Sequence, residues 1–240
     1  MLLSLIIPVY NEERSIEKLL EVVFAVPIVK ELVVVNDCSR DRTKKILQHI
    51  EKKYHSSPQK LPFVKNLVVI HKTVNEGKGA AIRTAVPCVT GDIVTIQDAD
   101  LELDPNEYPK LMEPFEKNQA DIVFGSRFQM AGSRRVFPAG RYLANRFLTL
   151  LSNIMSGLYL TDMETCYKVF KREILQSFTL RSSRFGIEPE LVAYAARGDW
   201  RIFEVPVSYN PRSRKEGKKI GFRDGIMAIG AIIWFNLLKR

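Results

Sequence analysis

The chain is poor in the residues on which many enzyme classes depend. Its three histidines, His49, His55 and His71, stand at no metal-ligand spacing, and no Ser/His/Asp or Cys/His arrangement accompanies them. Its three cysteines, Cys38, Cys88 and Cys166, are odd in number and form neither a disulfide framework nor a zinc knuckle. They read as reduced thiols in a cytosolic protein. A GxxxxGK[ST] loop is absent, which excludes a P-loop, and no GxGxxG follows the first apolar run, which argues against a dinucleotide cofactor. The opening MLLSLIIPVYNEE has no basic n-region and no small-residue cleavage site, so a signal peptide is not expected. The C-terminal stretch GIMAIGAIIWFNLLKR holds about 13 apolar residues, short of the ~20 that cross a bilayer as a helix. An amphipathic helix over 226–240, lying along an interface or packed on the core, is predicted instead.

What is present is a 240-residue chain with 46% hydrophobic content, enough for one sizeable core and one α/β domain over 1–225. LLSLIIPV, ELVVVND, NLVVIHK and GDIVTIQDAD alternate with helical patterns at Glu12–Ala25, Asp41–Tyr54 and after Gly79. Runs of Val, Ile and Leu without polar alternation are what strands covered on both faces look like, so a mostly parallel sheet flanked by helices is expected. A helical stretch over Arg141–Gly157, a helix around Pro189–Arg197 and a strand in WRIFEVPVSY complete the second half. SSPQKLP and the Gly/Arg-rich segment from Met130 to Gly140 read as loops. Ligands of open α/β sheets bind beyond the carboxyl ends of the strands. Here those ends are polar: Tyr10-Asn11-Glu12, Asn36-Asp37 and Asp98-Ala99-Asp100.

Asp98 and Asp100, with Glu102 two residues on, are candidate ligands for a hard cation such as Mg2+ or Mn2+, which takes one or two carboxylates plus phosphate oxygens. An Asp-x-Asp is also what a tight turn looks like. Asp37 reads either as a cap or as an acceptor for a base or ribose. Arg127, Arg134, Arg135, Arg141 and Arg146 form a group able to clamp an anion bidentately. The formal charge of +9 points to an acidic partner, and nucleic acid, anionic lipid and nucleoside diphosphate all qualify. Arg212, Arg214, Lys215, Lys218 and Lys219 crowd one short stretch, which on charge alone reads as a solvated loop.

Taken together, IIPVYNE, VVNDCSRD, NEGKGAAIRTA, DADLE, GSR and EVPVSY with the basic stretch after it resemble, in order and over nearly the whole chain, the inverting family 2 glycosyltransferases. They are most similar to the dolichyl- or polyprenyl-phosphate mannose and glucose synthases. The resemblance implies a GT-A (Rossmann-like) fold, a nucleotide-sugar donor, a polyprenyl phosphate acceptor and no nucleic acid. It implies that Pro8, Tyr10, Glu12, Asp37, Asp98 and Ala99 bind the nucleotide, and that Asp98, Asp100 and Glu102 bind Mg2+ or Mn2+. It assigns Arg127, Arg141 and Asn145 to the acceptor phosphate, and Arg212 and Lys218 to the diphosphate. Asp100, Arg127, Arg212 and Lys218 are then the catalytic set. The similar mannosyltransferases usually carry Gln at the position of Glu102, and relatives often carry Ser at that of Asn145. DMETCYK, RFGIEPEL and EGKKIGFRDG are similar to the glucose-synthase subgroup, and the Gln-x-x-Arg-Trp of processive members is absent, so a single transfer is implied. The same donor chemistry onto a soluble saccharide or another lipid is the alternative. Tyr142–Leu160 and Ile226–Leu238, the latter followed by Lys239 and Arg240, could lie at headgroup level, peripheral on the cytoplasmic face of a membrane.

Overall fold

Seven short apolar runs become strands because each is bounded by residues that turn the chain. The structure is a computed structural model describing residues 1–56, 63–129, 135–136, 139–212 and 221–238. The strands are β1 (Leu3–Val9), β2 (Val29–Asn36), β3 (Asn66–His71), β4 (Ile93–Ile96), β5 (Ile122–Ser126), β6 (Lys168–Lys171) and β7 (Ile202–Pro206). They form one sheet in the order β3-β2-β1-β4-β6-β5-β7. Every pairing is parallel except those of β6, which runs antiparallel to both β4 and β5. Because β6 is reversed, the loop that precedes it lies at the same edge as the carboxyl ends of the other strands.

Helices α1 (Ile16–Ala25), α2 (Thr43–Ser56), α3 (Lys78–Ala85), α4 (Tyr108–Glu116), α5 (Ala139–Ser156), α6 (Arg172–Ser177), α7 (Ile187–Ala195) and α8 (Phe222–Ile233) connect and cover the strands. Leu5, Ile6, Ile7, Leu32, Val33, Val34 and Val35 are fully buried, as expected for strands covered on both faces. The helix expected from Glu12 begins at Ile16. Asn11 adopts a left-handed φ of 52°, and the Glu12 carbonyl accepts from Ser15 and Ile16 N–H, so Glu12 belongs to the turn. Asp41 caps α2: its Oδ1 accepts from Thr43 N–H, and its Oδ2 accepts from Glu13 N–H.

The C-terminal apolar segment expected from 226 lies inside α8, which packs on α5 and α7 and continues as a π-helical turn over Trp234–Leu238. Among the described residues no helix is long and apolar enough to cross a membrane.

Candidate active site

Three strand ends are tied together by one another's side chains. After β2 the chain turns through Cys38 in a left-handed conformation, after β4 through Leu101, and after β1 through Asn11. These turns point the flanking polar side chains outward over the sheet edge. The result is a cleft of about 350 Å³ whose lining includes Pro8, Tyr10, Glu12, Asp37, Asp98, Ala99, Asp100, Glu102, Arg127 and Arg212. Ten of the predicted site residues thus meet in one place. Lys218 lies outside the described residues, as do Arg134, Arg214, Lys215, Lys219, Lys239 and Arg240.

Asp37 serves first as an organiser. Its Oδ1 accepts from Glu76 N–H at 3.1 Å, and its Oδ2 accepts from Gly77 N–H at 2.6 Å and Asn75 Nδ2 at 2.8 Å. Lys72 Nζ lies 3.0 Å from the same carboxylate. The loop Asn75–Gly79 is thereby clamped against the end of β2. Gly77 there has φ 98°, and a Cβ at Gly79 would sit 2.3 Å from the Ser182 carbonyl, so only glycine lets this loop close on the segment before α7. The close approach drives Lys78 under the cleft. Its Nζ meets Asp98 Oδ1 at 2.7 Å and Glu188 Oε1 at 2.6 Å. Burial works against the Lys78 charge, but Asp98 and Glu188 outweigh it and raise the ammonium pKa well above its ordinary value.

Arg212 bridges the acidic ends of β1 and β4. Its Nη1 lies 3.1 Å from Glu12 Oε2, its Nη2 donates to Asp100 Oδ2 at 2.9 Å, and its backbone N–H donates to Glu102 Oε1 at 2.9 Å. Glu102 Oε2 accepts from Tyr209 OH at 2.7 Å. The expected third metal ligand is therefore held on both oxygens by the segment following β7. Burial, with Asp98 and Glu102 beside it, pushes the Asp100 carboxyl up to about 6 despite Arg212. Among the described residues no three acidic, His or Cys side chains converge at metal-ligand spacing.

Across the cleft, Arg127 is locked by the fully buried Asp162. Nε donates to Oδ2 at 2.7 Å, Nη2 to Oδ1 at 2.8 Å, and the backbone N–H to Oδ2 at 2.9 Å. Nη2 also reaches Asn145 Oδ1 at 3.4 Å, while Asn145 Nδ2 donates back to the Arg141 carbonyl at 2.8 Å. Arg127, Asn145 and Arg141 are thus connected in one chain of contacts at the start of α5. The guanidinium also stands over the Tyr209 ring, 5.1 Å from its centroid.

Asp162, Lys78, Glu164, Glu188 and Tyr209 were not singled out by sequence reasoning. The signal was present for Lys78, inside NEGKG, and for Glu164, inside DMETCYK, but neither spacing says which way a side chain faces.

Residues 4–178 match the family described as Glycosyl transferase family 2. The chain is 31% identical over 227 residues to a dolichyl-phosphate beta-glucosyltransferase of Trichomonas vaginalis, covering 87% of this chain and 65% of that one. It is 30% identical over 226 residues to a dolichol-phosphate mannosyltransferase of Pyrococcus furiosus, covering 92% and 60%. It is 28% identical over 236 residues to an undecaprenyl-phosphate mannosyltransferase of Micrococcus luteus, covering 95% and 92%. The chain thus spans less than two thirds of the length of the first two relatives. In fold it is similar to glucosyl-3-phosphoglycerate synthase of Mycobacterium tuberculosis, crystallised with Mn2+, uridine diphosphate and phosphoglyceric acid. That match has a TM-score of 0.71 and 20% identity, over 98% of this chain and 78% of that one. With a mostly parallel seven-stranded GT-A-like sheet and a family match across most of its length, the chain belongs to glycosyl transferase family 2.

Proposed function

We propose that the protein transfers one hexose from a nucleoside-diphosphate sugar, of the UDP-glucose or GDP-mannose type, to a polyprenyl phosphate, with inversion. The observation that carries this reading is the pairing of two unlike surfaces in one cleft: acidic Asp98 and Asp100 at the end of β4, and Arg127 on its Asp162 anchor. The relatives' names point to the same acceptor class.

Asp98 and Asp100 suit a divalent cation such as Mg2+ or Mn2+. Burial, with the charges of Asp98 and Glu102 beside it, pushes the Asp100 carboxyl up to about 6; a divalent cation would relieve that cost, and two carboxylates plus phosphate oxygens meet the needs of such an ion. When bound, the ion would supply Lewis-acid neutralisation of the diphosphate. The chain's own groups do the rest. Pro8, Tyr10 and the loop clamped by Asp37 line the nucleoside end, Lys78 fixes Asp98, and Arg212 is positioned to turn from Asp100 to the diphosphate. Arg127, with Arg141 and Asn145, would hold the acceptor phosphate in line with the anomeric carbon. A phosphate oxygen forms the bond to that carbon as the bond to the diphosphate oxygen breaks, and the nucleoside diphosphate leaves. A phosphate monoester is already ionised at neutral pH, so this displacement needs no general base.

The polyprenyl tail and the membrane surface are assigned to α5 and α8. Leu143, Phe147, Leu150 and Ile154 form an exposed stripe on α5 at helical spacing, and Ile226, Met227, Ile233, Trp234 and Leu237 are exposed on the packed neighbour α8 and its extension. Three free thiols support a reducing compartment, hence the cytoplasmic face. The test is nucleotide release by the purified protein with Mg2+ or Mn2+, a polyprenyl phosphate and a panel of UDP- and GDP-sugars. Release that requires both metal and lipid phosphate is expected. Release indifferent to lipid phosphate would move the acceptor to a soluble saccharide or another lipid.

A further inference from the structure

No step of the transfer uses a histidine, yet one histidine stands behind the nucleoside end of the cleft. His49 and His55 are exposed on α2, whereas His71 closes β3, half-buried, in register with Asn36 at the end of β2. Its Nδ1 lies 3.1 Å from Asn36 Nδ2. The Asn36 amide cannot be turned the other way round, because its Oδ1 accepts from Ser39 N–H at 3.1 Å. Nδ2 is therefore the donor and Nδ1 the acceptor, which places the imidazole proton on Nε2. Nε2 is itself buried and has no hydrogen-bond partner among the described residues. An imidazolium would set a second N–H against the Asn36 amide and gain no acceptor at Nε2, so the arrangement is that of the neutral ring.

Asn36 is the pin to which three strand ends are fastened. Its buried side chain holds the turn at Cys38 and Ser39, and its carbonyl accepts from Cys38 N–H and Lys72 N–H. Ser39 Oγ in turn accepts from Asn11 N–H at 2.9 Å, and Asn11 Oδ1 accepts from Arg40 N–H at 2.8 Å. Asn11 is the left-handed residue between Tyr10 and Glu12, and Asp37, next to Asn36, clamps the loop Asn75–Gly79. A shift of the Asn36 side chain therefore reaches both Tyr10 and Asp37, which line the cleft.

We infer that His71 is a positioning residue for the nucleoside, acting through Asn36, and that binding of the donor requires its neutral form. This rests on the nucleotide-sugar reading above. The elements packed against β3 are chiefly β2 and α2. From α2, Lys44 opposes a proton on His71 and Glu51 favours one; β2 presents the uncharged Asn36, and Lys72, next along the chain, is turned to Asp37 and Glu76. Burial first, then Lys44, hold the imidazole below its ordinary 6.5. The ring is thus neutral at neutral pH, and donor affinity is lost as the pH falls below that value.

The experiment titrates UDP and GDP with Mg2+ into the wild-type protein and into His71→Asn, by calorimetry between about pH 7.5 and about pH 5. Asparagine puts an oxygen close to where Nδ1 stood, accepts from Asn36 and takes up no proton. The readout is the ratio of the two proteins' affinities, because Asp100 and the nucleotide's own phosphate titrate alongside both and cancel. The ratio should be near one at the upper pH, and the wild type should fall about fivefold behind the variant at the lower, the value of one hydrogen bond. A ratio that stays constant would overturn the inference while leaving nucleotide binding intact. Failure of the wild type to bind either nucleotide would instead remove the nucleotide-sugar reading, and the inference with it. Nitrogen NMR of the histidine rings in the wild type needs no variant. One ring should be the Nε2–H tautomer at neutral pH, and bound nucleotide should move its titration about 0.7 pH unit lower, the same factor of about five. The opposite tautomer, or a titration indifferent to nucleotide, would overturn the inference.

Discussion

Asp162 has no exposed surface and offers both oxygens to one guanidinium, so its worth lies in keeping Arg127 charged and aimed. Asp162→Asn leaves a buried arginine without its counter-charge and should destabilise the fold by about 3–5 kcal/mol in urea unfolding. A change under 1 kcal/mol would mean that solvent reaches Arg127 more freely than its burial implies. Asp100 is the opposite case. Its carboxyl is pushed up by burial and by its neighbours, so Asp100→Asn should melt no lower than the wild type in the presence of a chelator. The same variant should lose on the order of a hundredfold or more in nucleotide release, and wild-type turnover would sink the role given to Asp98 and Asp100. Asp98 and Asp100 were legible because they end an apolar strand. Glu164 and Glu188 were not, since which of two glutamates in a polar loop or helix turn faces a cleft depends on partners more than a hundred residues away, as with Lys78 and Glu188.

Among the elements, β1 to β4 announce themselves as runs of Val, Ile and Leu, and their parallel pairing follows from the helices between them. The reversed β6 carries no such mark. It is four residues long, KVFK, with lysine at both ends, and Lys168 is buried only because two carbonyls and the Phe124 face receive it. At the far end of β5, Asp121 ties three strands together, accepting from Arg201 Nε at 2.9 Å and Lys171 Nζ at 2.6 Å. Arg201 first, then Lys171, hold its carboxyl well below the usual carboxylate range. A depressed folded-state pKa stabilises above the unfolded value near ~3.9, and that contribution is lost as the pH falls. Asp121→Asn should therefore cost about 1–2 kcal/mol at pH 7, allowing for screening at the half-exposed Arg201, and the gap to wild type should begin to narrow below about pH 4 and close only as the pH falls through the depressed folded-state value. On α5, Leu143 and Leu150 are 65% and 58% exposed, so replacing both by Glu should leave the melting temperature nearly unchanged. Partition onto anionic vesicles should fall on the order of a hundredfold, and undiminished flotation would remove α5 from the membrane surface.

For the molecule as a whole, the fold was readable and the wiring of its edge was not. Periodicity fixes how many layers there are. It is silent on the fact that the segment after β7 returns across the sheet to meet Glu12, Asp100 and Glu102 through a single arginine. That bridge has a consequence for the order in which ligands arrive. An ion approaching alone must compete with a tethered guanidinium for Asp100, whereas an ion carried by a nucleoside diphosphate brings a second anion to which the guanidinium can transfer. Addition should therefore be strongly synergistic: Mn2+ alone should bind weakly and Mn2+ with nucleotide tightly, with Arg212→Gln strengthening the former by about tenfold and weakening the latter, as read by calorimetry. Arg212 would then act as a resident surrogate ion, keeping the acidic edge charge-balanced between turnovers and giving way only to cargo that arrives complete.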